Sequence, residues 1–176
     1  SFSLVPTPAD SVRKTIWHNA ELMRRVRFSE NSRVTTADLV TPRMREDQAQ
    51  NFLANQSADY NLEELGIDYL FVDESHEFKN LYCPTGGNGL RGVSNTASAK
   101  CTDLYYKTKY LASLYGGKGG FTFATGTAIV NSITELYSLQ RYFQEDLLIE
   151  KNIFGLDDWL ALSGNITTDW ELPPEW

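Results

Sequence analysis

Gly66-Ile67-Asp68-Tyr69-Leu70-Phe71-Val72-Asp73-Glu74-Ser75-His76-Glu77-Phe78-Lys79-Asn80 is the stretch whose reading decides the fold. Its apolar run, Tyr69 to Val72, stops abruptly at two carboxylates. A short β-rich run bounded by a glycine and a charge cluster predicts a fully buried strand of a parallel sheet. In such sheets ligand chemistry gathers just beyond the carboxyl ends of the strands. Two adjacent acids there, with a histidine two positions on, suit a magnesium-nucleotide hydrolase: one acid holds the metal and one orients or deprotonates water.

Working outward, Leu62–Leu65 predicts a short helical turn closed by Gly66, preceded by a polar linker from Asn55 to Asn61. Further upstream, Thr7-Pro8-Ala9-Asp10 reads as a helix start with a Thr cap and Pro at the first helical position. Val12, Ile16, Ala20 and Met23 recur at helical spacing, which carries that helix to about Arg25. Trp17 and His18 lie off the stripe, so His18 reads as exposed or structural. Arg24-Arg25-Val26-Arg27, the one basic knot, reads as a solvated helix end. Arg33–Thr36 is a short strand or a loop. Thr41-Pro42 repeats the cap-then-proline signal and predicts a second helix through about Ala54.

Downstream, Tyr82–Asn95 is a long loop with Pro84 and four glycines. Ser98–Tyr115 predicts a helix with Leu104, Thr108, Leu111 and Leu114 or Tyr115 on one face. It ends at Gly116-Gly117-Lys118-Gly119-Gly120. That run is no phosphate loop, because Ala112 stands where G-x-x-x-x-G-K-[ST] needs its first glycine and Gly119 where it needs Ser or Thr. A helix-to-strand turn is the better reading. Phe121–Ala124 predicts a second strand, running into Thr125-Gly126-Thr127. Ser132-Ile133-Thr134-Glu135 reads as a capping box, and Leu136, Leu139, Tyr142 and Phe143 read as core. A last short helix near Leu156–Leu162 precedes a loose tail.

Composition sets bounds on these readings. The chain has 176 residues and a formal charge of −7, enough for one sizeable core and unlike a basic nucleic-acid module. Up to Tyr60 there are 8 basic and 7 acidic residues, and beyond it 8 and 16, so the acidity gathers around and after the carboxylate motif. No apolar run reaches the roughly 20 residues of a membrane helix, and the first residues do not form a signal peptide. Cys83 and Cys101 make no metal-type pair, which reads as two free thiols in a reducing compartment. The expectation is a cytoplasmic, bacterial protein.

The two strand-end loops belong together. Asp73-Glu74-Ser75-His76-Glu77-Phe78-Lys79-Asn80 resembles motif II of the Swi/Snf-type DNA-dependent ATPases of helicase superfamily 2, which reads D-E-x-H-x-x-K-N. Thr125 to Leu139, T-G-T-A-I-V-N-S-I-T-E-L-Y-S-L, resembles their motif III and its following helix. Leu65–Phe143 is most similar to helicase-like proteins of bacterial mobile elements, often fused to an adenine-specific DNA methyltransferase. The resemblance implies an α/β fold: a partial three-layer RecA-like P-loop NTPase lobe with a mostly parallel sheet, lacking the phosphate-loop strand. It divides the chain into a helical segment 1–60, the motif II–III half-lobe 61–145, and an extension 146–176.

It further implies that Asp73 holds Mg²⁺ through water, Glu74 activates the attacking water, and Asp73 and Glu74 face the bound ATP. His76 would link that site to Thr125-Gly126-Thr127, with Lys79, Asn80 and Asn131 as coupling residues. Ala128 departs from the family's proline. The implied partners are DNA, double-stranded in preference to single-stranded, and the remainder of a helicase polypeptide; the half-lobe is expected to self-associate. No G-K-[ST] occurs in the sequence, and no second lobe with an arginine finger fits after Phe143. The isolated chain is therefore expected to be inactive on ATP. Two other classes are an inactive remnant serving as a scaffold, and a metal hydrolase using Asp73, Glu74 and His76 directly.

Overall fold

A computed structural model of the chain describes residues 6–29, 42–54, 60–83, 98–127, 129 and 134–163, without the side chains of 22–29, 42–45, 48 and 163. Its elements, in order, are α1 (Ala9–Ser29), α2 (Pro42–Ala54), β1 (Leu70–Val72), a 3-10 turn (Ser75–Phe78), α3 (Ala99–Leu114), β2 (Phe121–Phe123), α4 (Thr134–Glu150) and α5 (Leu156–Ser163). The fold is mixed α/β. The readings for Arg33–Thr36, Ala128, Asn131, the Ser132 cap, most of the Tyr82–Asn95 loop and the tail lie outside the described residues.

β1 and β2 pair in parallel, Leu70 opposite Phe121 and Val72 opposite Phe123. The pairing continues past the strands: the Ala124 amide donates to the Val72 carbonyl and the Ser75 amide to the Ala124 carbonyl. Both loops therefore leave the same edge of one sheet, as expected. Complete burial of β1 is not observed. Val72 is buried, but Phe71 is 77% exposed and its neighbour Tyr69 is exposed too. Side chains alternate across a strand. Leu70 and Val72 face the helices, while Phe71 and Tyr69 face outward, where no described element packs. Tyr69 instead lies tilted against Phe71, 5.0 Å between ring centroids, and its hydroxyl lies 2.9 Å from Thr122 Oγ1.

On the covered side α3 is the central element. Cys101, Leu104, Tyr105, Tyr106, Thr108 and Leu111 are all buried, and a helix buried nearly all round forms the middle of a core. Both ends emerge: Ala99 and Lys100 are exposed at the start, and at the finish Leu114 and Tyr115 are exposed rather than continuing the apolar face. Val12 and Ile16 of α1, Ala49 of α2 and Val72 and Phe121 of the sheet close around it. Phe52 meets Tyr106 edge-on at 4.7 Å between centroids.

Helix starts depart from expectation in two places. Pro8 stands just before α1, its carbonyl accepting from the Val12 amide. The Thr7 hydroxyl is buried without a partner among the described residues, so it caps nothing. α1 runs on to Ser29, which puts the Arg24–Arg27 run in its closing turns, where the helix dipole favours cations. Asn61, read as linker, is a cap: its Oδ1 accepts from the amides of Glu63 and Glu64, and Glu64 Oε2 accepts from the Asn61 amide. This is a reciprocal capping box on a single turn.

α4 is rotated relative to its expected core face. Leu136 and Leu139 are only partly buried and Phe143 is half exposed, whereas Glu135, Ser138, Arg141 and Glu145 are buried with Tyr137 and Tyr142. Polar partners on α3 cause the rotation. Arg141 Nε and Nη2 donate to Glu145 Oε1 at 3.1 and 3.0 Å, and Lys109 Nζ lies 2.9 Å from Glu145 Oε2. The Tyr105 hydroxyl also donates to Glu145, and Arg141 Nη1 donates to the Tyr82 carbonyl. Phe143 is left at the rim, stacked on Phe121. The residue after it, Gln144, breaks helical geometry at φ −137°.

The glycine run after α3 is a turn. Gly116, Gly117, Gly119 and Gly120 all take positive φ, which only glycine adopts without cost. At Gly120 space is also lacking: a Cβ would sit 2.8 Å from the Leu111 carbonyl carbon and oxygen. Gly120→Ala combines an unfavourable φ with a backbone clash, each worth roughly 1–3 kcal/mol. We expect a loss of about 3 kcal/mol in urea unfolding. A variant as stable as the parent chain would contradict this account of the turn.

Candidate nucleotide-hydrolysis half-site

The site begins where β1 ends. Asp73 Oδ1 accepts from the Glu74 amide at 2.9 Å, a local bond that bends the chain sharply out of the strand. Glu74 then takes φ 50° and ψ 45°, left-handed backbone that is uncommon for a residue with a Cβ and gathers at functional sites. The bend brings the chain into the 3-10 turn, with Ser75 buried beneath it and His76 half-covered on top. The carboxylates of Asp73 and Glu74 remain exposed.

His76 joins the two loops. Its Nδ1 lies 3.1 Å from Glu74 Oε2 and 3.2 Å from Thr125 Oγ1. A protonated Nδ1 donates to the carboxylate; a bare Nδ1 accepts the threonine hydroxyl. The histidine thus contacts both Glu74, in the loop after β1, and Thr125, in the loop after β2. Thr125 Oγ1 in turn accepts from the Thr127 amide at 3.2 Å, which closes Thr125-Gly126-Thr127 into a tight turn. Beside it lies an open cleft of about 330 Å³ lined by His76, Glu77, Lys79, Asn80, Lys100 and Thr127.

Of the residues singled out in the sequence, Asp73, Glu74, His76, Thr125, Gly126, Thr127, Lys79 and Asn80 are brought together at one sheet edge. Asn131 lies outside the described residues. The structure adds four more. Lys79 Nζ pairs with Glu135 Oε1 at 2.9 Å, both side chains largely buried. Lys100 Nζ pairs with Glu77 Oε2 at 2.6 Å, and its hydrogen bond and charge hold the Glu77 carboxyl below its ordinary range. The Tyr142 hydroxyl reaches the carbonyls of Phe78 and Cys101 at 3.2 and 3.0 Å. Two of these left a trace in the sequence. A lysine in the first turn of a helix, as Lys100 is, opposes the dipole and implies an acidic partner. A lysine following Phe78 so near the core implies one as well.

Among the described residues no group of three metal-ligating side chains converges, so Asp73, Glu74 and His76 do not assemble a metal centre made by protein alone. Magnesium needs less: one or two carboxylates, waters and substrate phosphates complete its shell. Asp73, exposed and adjacent to Glu74, fits that donor set. Both cysteines are free and buried, and burial pushes both thiols up from their ordinary values. Among the described residues no helix is long and apolar enough to cross a membrane.

Compared with known proteins, residues 35–174 match a family model described as a probable helicase domain. No curated protein and no solved structure matches the chain.

Proposed function

This chain belongs to the probable helicase domain family, and from that premise we propose that it supplies the water-activating half of the Mg-ATP site of a Swi/Snf-type DNA translocase. The observation that carries the reading is His76 Nδ1, within 3.2 Å of both Glu74 and Thr125. A residue in contact with the hydrolytic carboxylate and with a hydroxyl loop on the adjacent strand is what a switch between nucleotide state and movement requires. The lobe is RecA-like in this reading, and its parent is akin to the helicase-like proteins of bacterial mobile elements.

Within it, Glu74 takes the proton of the attacking water and Asp73 binds Mg²⁺ through water. Bound Mg²⁺ supplies neutralisation of phosphate charge. His76 holds Glu74 in register with Thr125, Gly126 and Thr127, and Lys79, Asn80 and Asn131 keep the two loops in step. The β- and γ-phosphates are gripped by a G-x-x-x-x-G-K-[ST] loop that these 176 residues do not contain. The partners are double-stranded DNA and the rest of the helicase machinery, in the bacterial cytoplasm.

The test measures ATP hydrolysis with and without duplex DNA. We expect none above background from the 176-residue chain alone. In a polypeptide carrying this chain together with a phosphate-gripping loop and a second lobe, hydrolysis should rise on adding duplex DNA. Hydrolysis by the chain alone, or hydrolysis indifferent to DNA in the longer polypeptide, would overturn the proposal.

A further inference from the structure

The 3-10 turn that carries His76 is fastened at both ends. At its start, the Ser75 amide bonds the Ala124 carbonyl at 3.0 Å and His76 meets Thr125. At its end, Lys79 pairs with Glu135 at 2.9 Å and the Tyr142 hydroxyl contacts the Phe78 carbonyl at 3.2 Å. Thr125 lies in the loop after β2, and Glu135 opens the helix to which that loop leads. The turn is therefore clamped twice onto one continuous stretch of chain, once at the loop and once at the first turn of α4.

We propose that Glu135, through its largely buried pair with Lys79, is a positioning residue for His76. This inference rests on the function proposed above for its purpose, though not for its geometry. A four-residue 3-10 helix has few hydrogen bonds of its own, so its orientation is set by what fastens its ends. The start is fastened through half-buried Thr125, which leads into exposed Gly126 and Thr127 and is the group that would respond to ligand. The end is fastened by an ion pair shielded from water, with Lys79 17% and Glu135 9% exposed, and shielded pairs are screened far less than surface ones. The ion-paired clamp stays closed while the half-buried hydrogen bond at Thr125 responds. Displacement of Thr125 is then passed to α4 as movement of one rigid piece.

The chain has only two histidines, and His18 lies exposed on α1, so imidazole ¹⁵N spectra of the full 176-residue chain read His76 against an internal control. Glu135→Gln keeps the side-chain shape and removes the charge. It should move the His76 Nδ1 and Nε2 resonances toward those of exposed His18 while His18 stays in place. Lys79→Met should move them in the same direction, and the exchanged pair Lys79→Glu with Glu135→Lys should bring them back. Circular dichroism verifies that each variant is folded; should Glu135→Gln unfold, Tyr142→Phe, which loosens the same end, is read instead. His76 resonances unmoved in a folded Glu135→Gln or Tyr142→Phe chain overturn the inference, as does an exchanged pair that leaves them displaced. No nucleotide enters the experiment, so failure of the ATPase reading would appear in hydrolysis assays and leave this result intact.

Discussion

Glu74→Gln is expected to lower DNA-stimulated ATP hydrolysis, in a polypeptide that also carries the phosphate-gripping loop, by about 10²–10⁴-fold, the usual contribution of a positioned general base. Nucleotide binding should stay nearly unchanged, because the loss falls on the transition state alone. The amide keeps the volume and the Cβ of the glutamate, so the left-handed backbone at φ 50° is equally strained in both. Glu74→Gly separates the two properties of this residue. It relieves the strain and should stabilise the fold by about 1 kcal/mol, while hydrolysis falls as in Glu74→Gln. Thermal unfolding and steady-state hydrolysis would thus move in opposite directions. Retained hydrolysis in both variants would show that the water is activated elsewhere.

Arg141→Met should be the most damaging of the α4 substitutions to stability, at about 3–5 kcal/mol, since it strips one partner from a buried pair. Glu145 is 4% exposed, and burial alone would push its carboxyl up. The charges of Arg141 and Lys109, with the hydrogen bond from Tyr105, overcome this and hold it down to about 2. The sign of the pH dependence follows. A carboxyl depressed in the fold stabilises it above the ordinary value of about 4.5, and that contribution fades as pH falls toward 2. A drop of about 2.5 pH units corresponds to about 3 kcal/mol. Urea unfolding at pH 7 and pH 3 should therefore show a clear acid loss in the parent chain and a smaller one in Arg141→Met. Equal acid losses in the two would mean that Arg141 is not what holds the charge on Glu145.

The two strands were legible because each apolar run ends abruptly, one in Asp73-Glu74 and the other in Thr125-Gly126-Thr127. Reading both ends as one edge anticipated the parallel pairing of Leu70 with Phe121. The turn at Gly116–Gly120 was legible for the opposite reason: no phosphate-loop spacing fitted it. What stayed hidden depends on partners distant in sequence. Apolarity assigned Phe143 to the core, yet Lys109 and Tyr105 on α3 made the Arg141–Glu145 side of α4 the better buried one. Phe71 has strand character regardless of whether its face is covered, so its exposure could not be read from the run itself. Asn61 looked like linker because a one-turn helix is too short to show periodicity.

The face of β1 that no described element covers also has a calorimetric consequence. Apolar surface already in contact with water in the folded chain contributes nothing to the heat-capacity increment of unfolding. With Phe71 and Tyr69 outside, that increment should fall below the value usual for a domain of this length. Any body that seats on the face would reveal itself first as a negative heat-capacity change of association, before its identity was known.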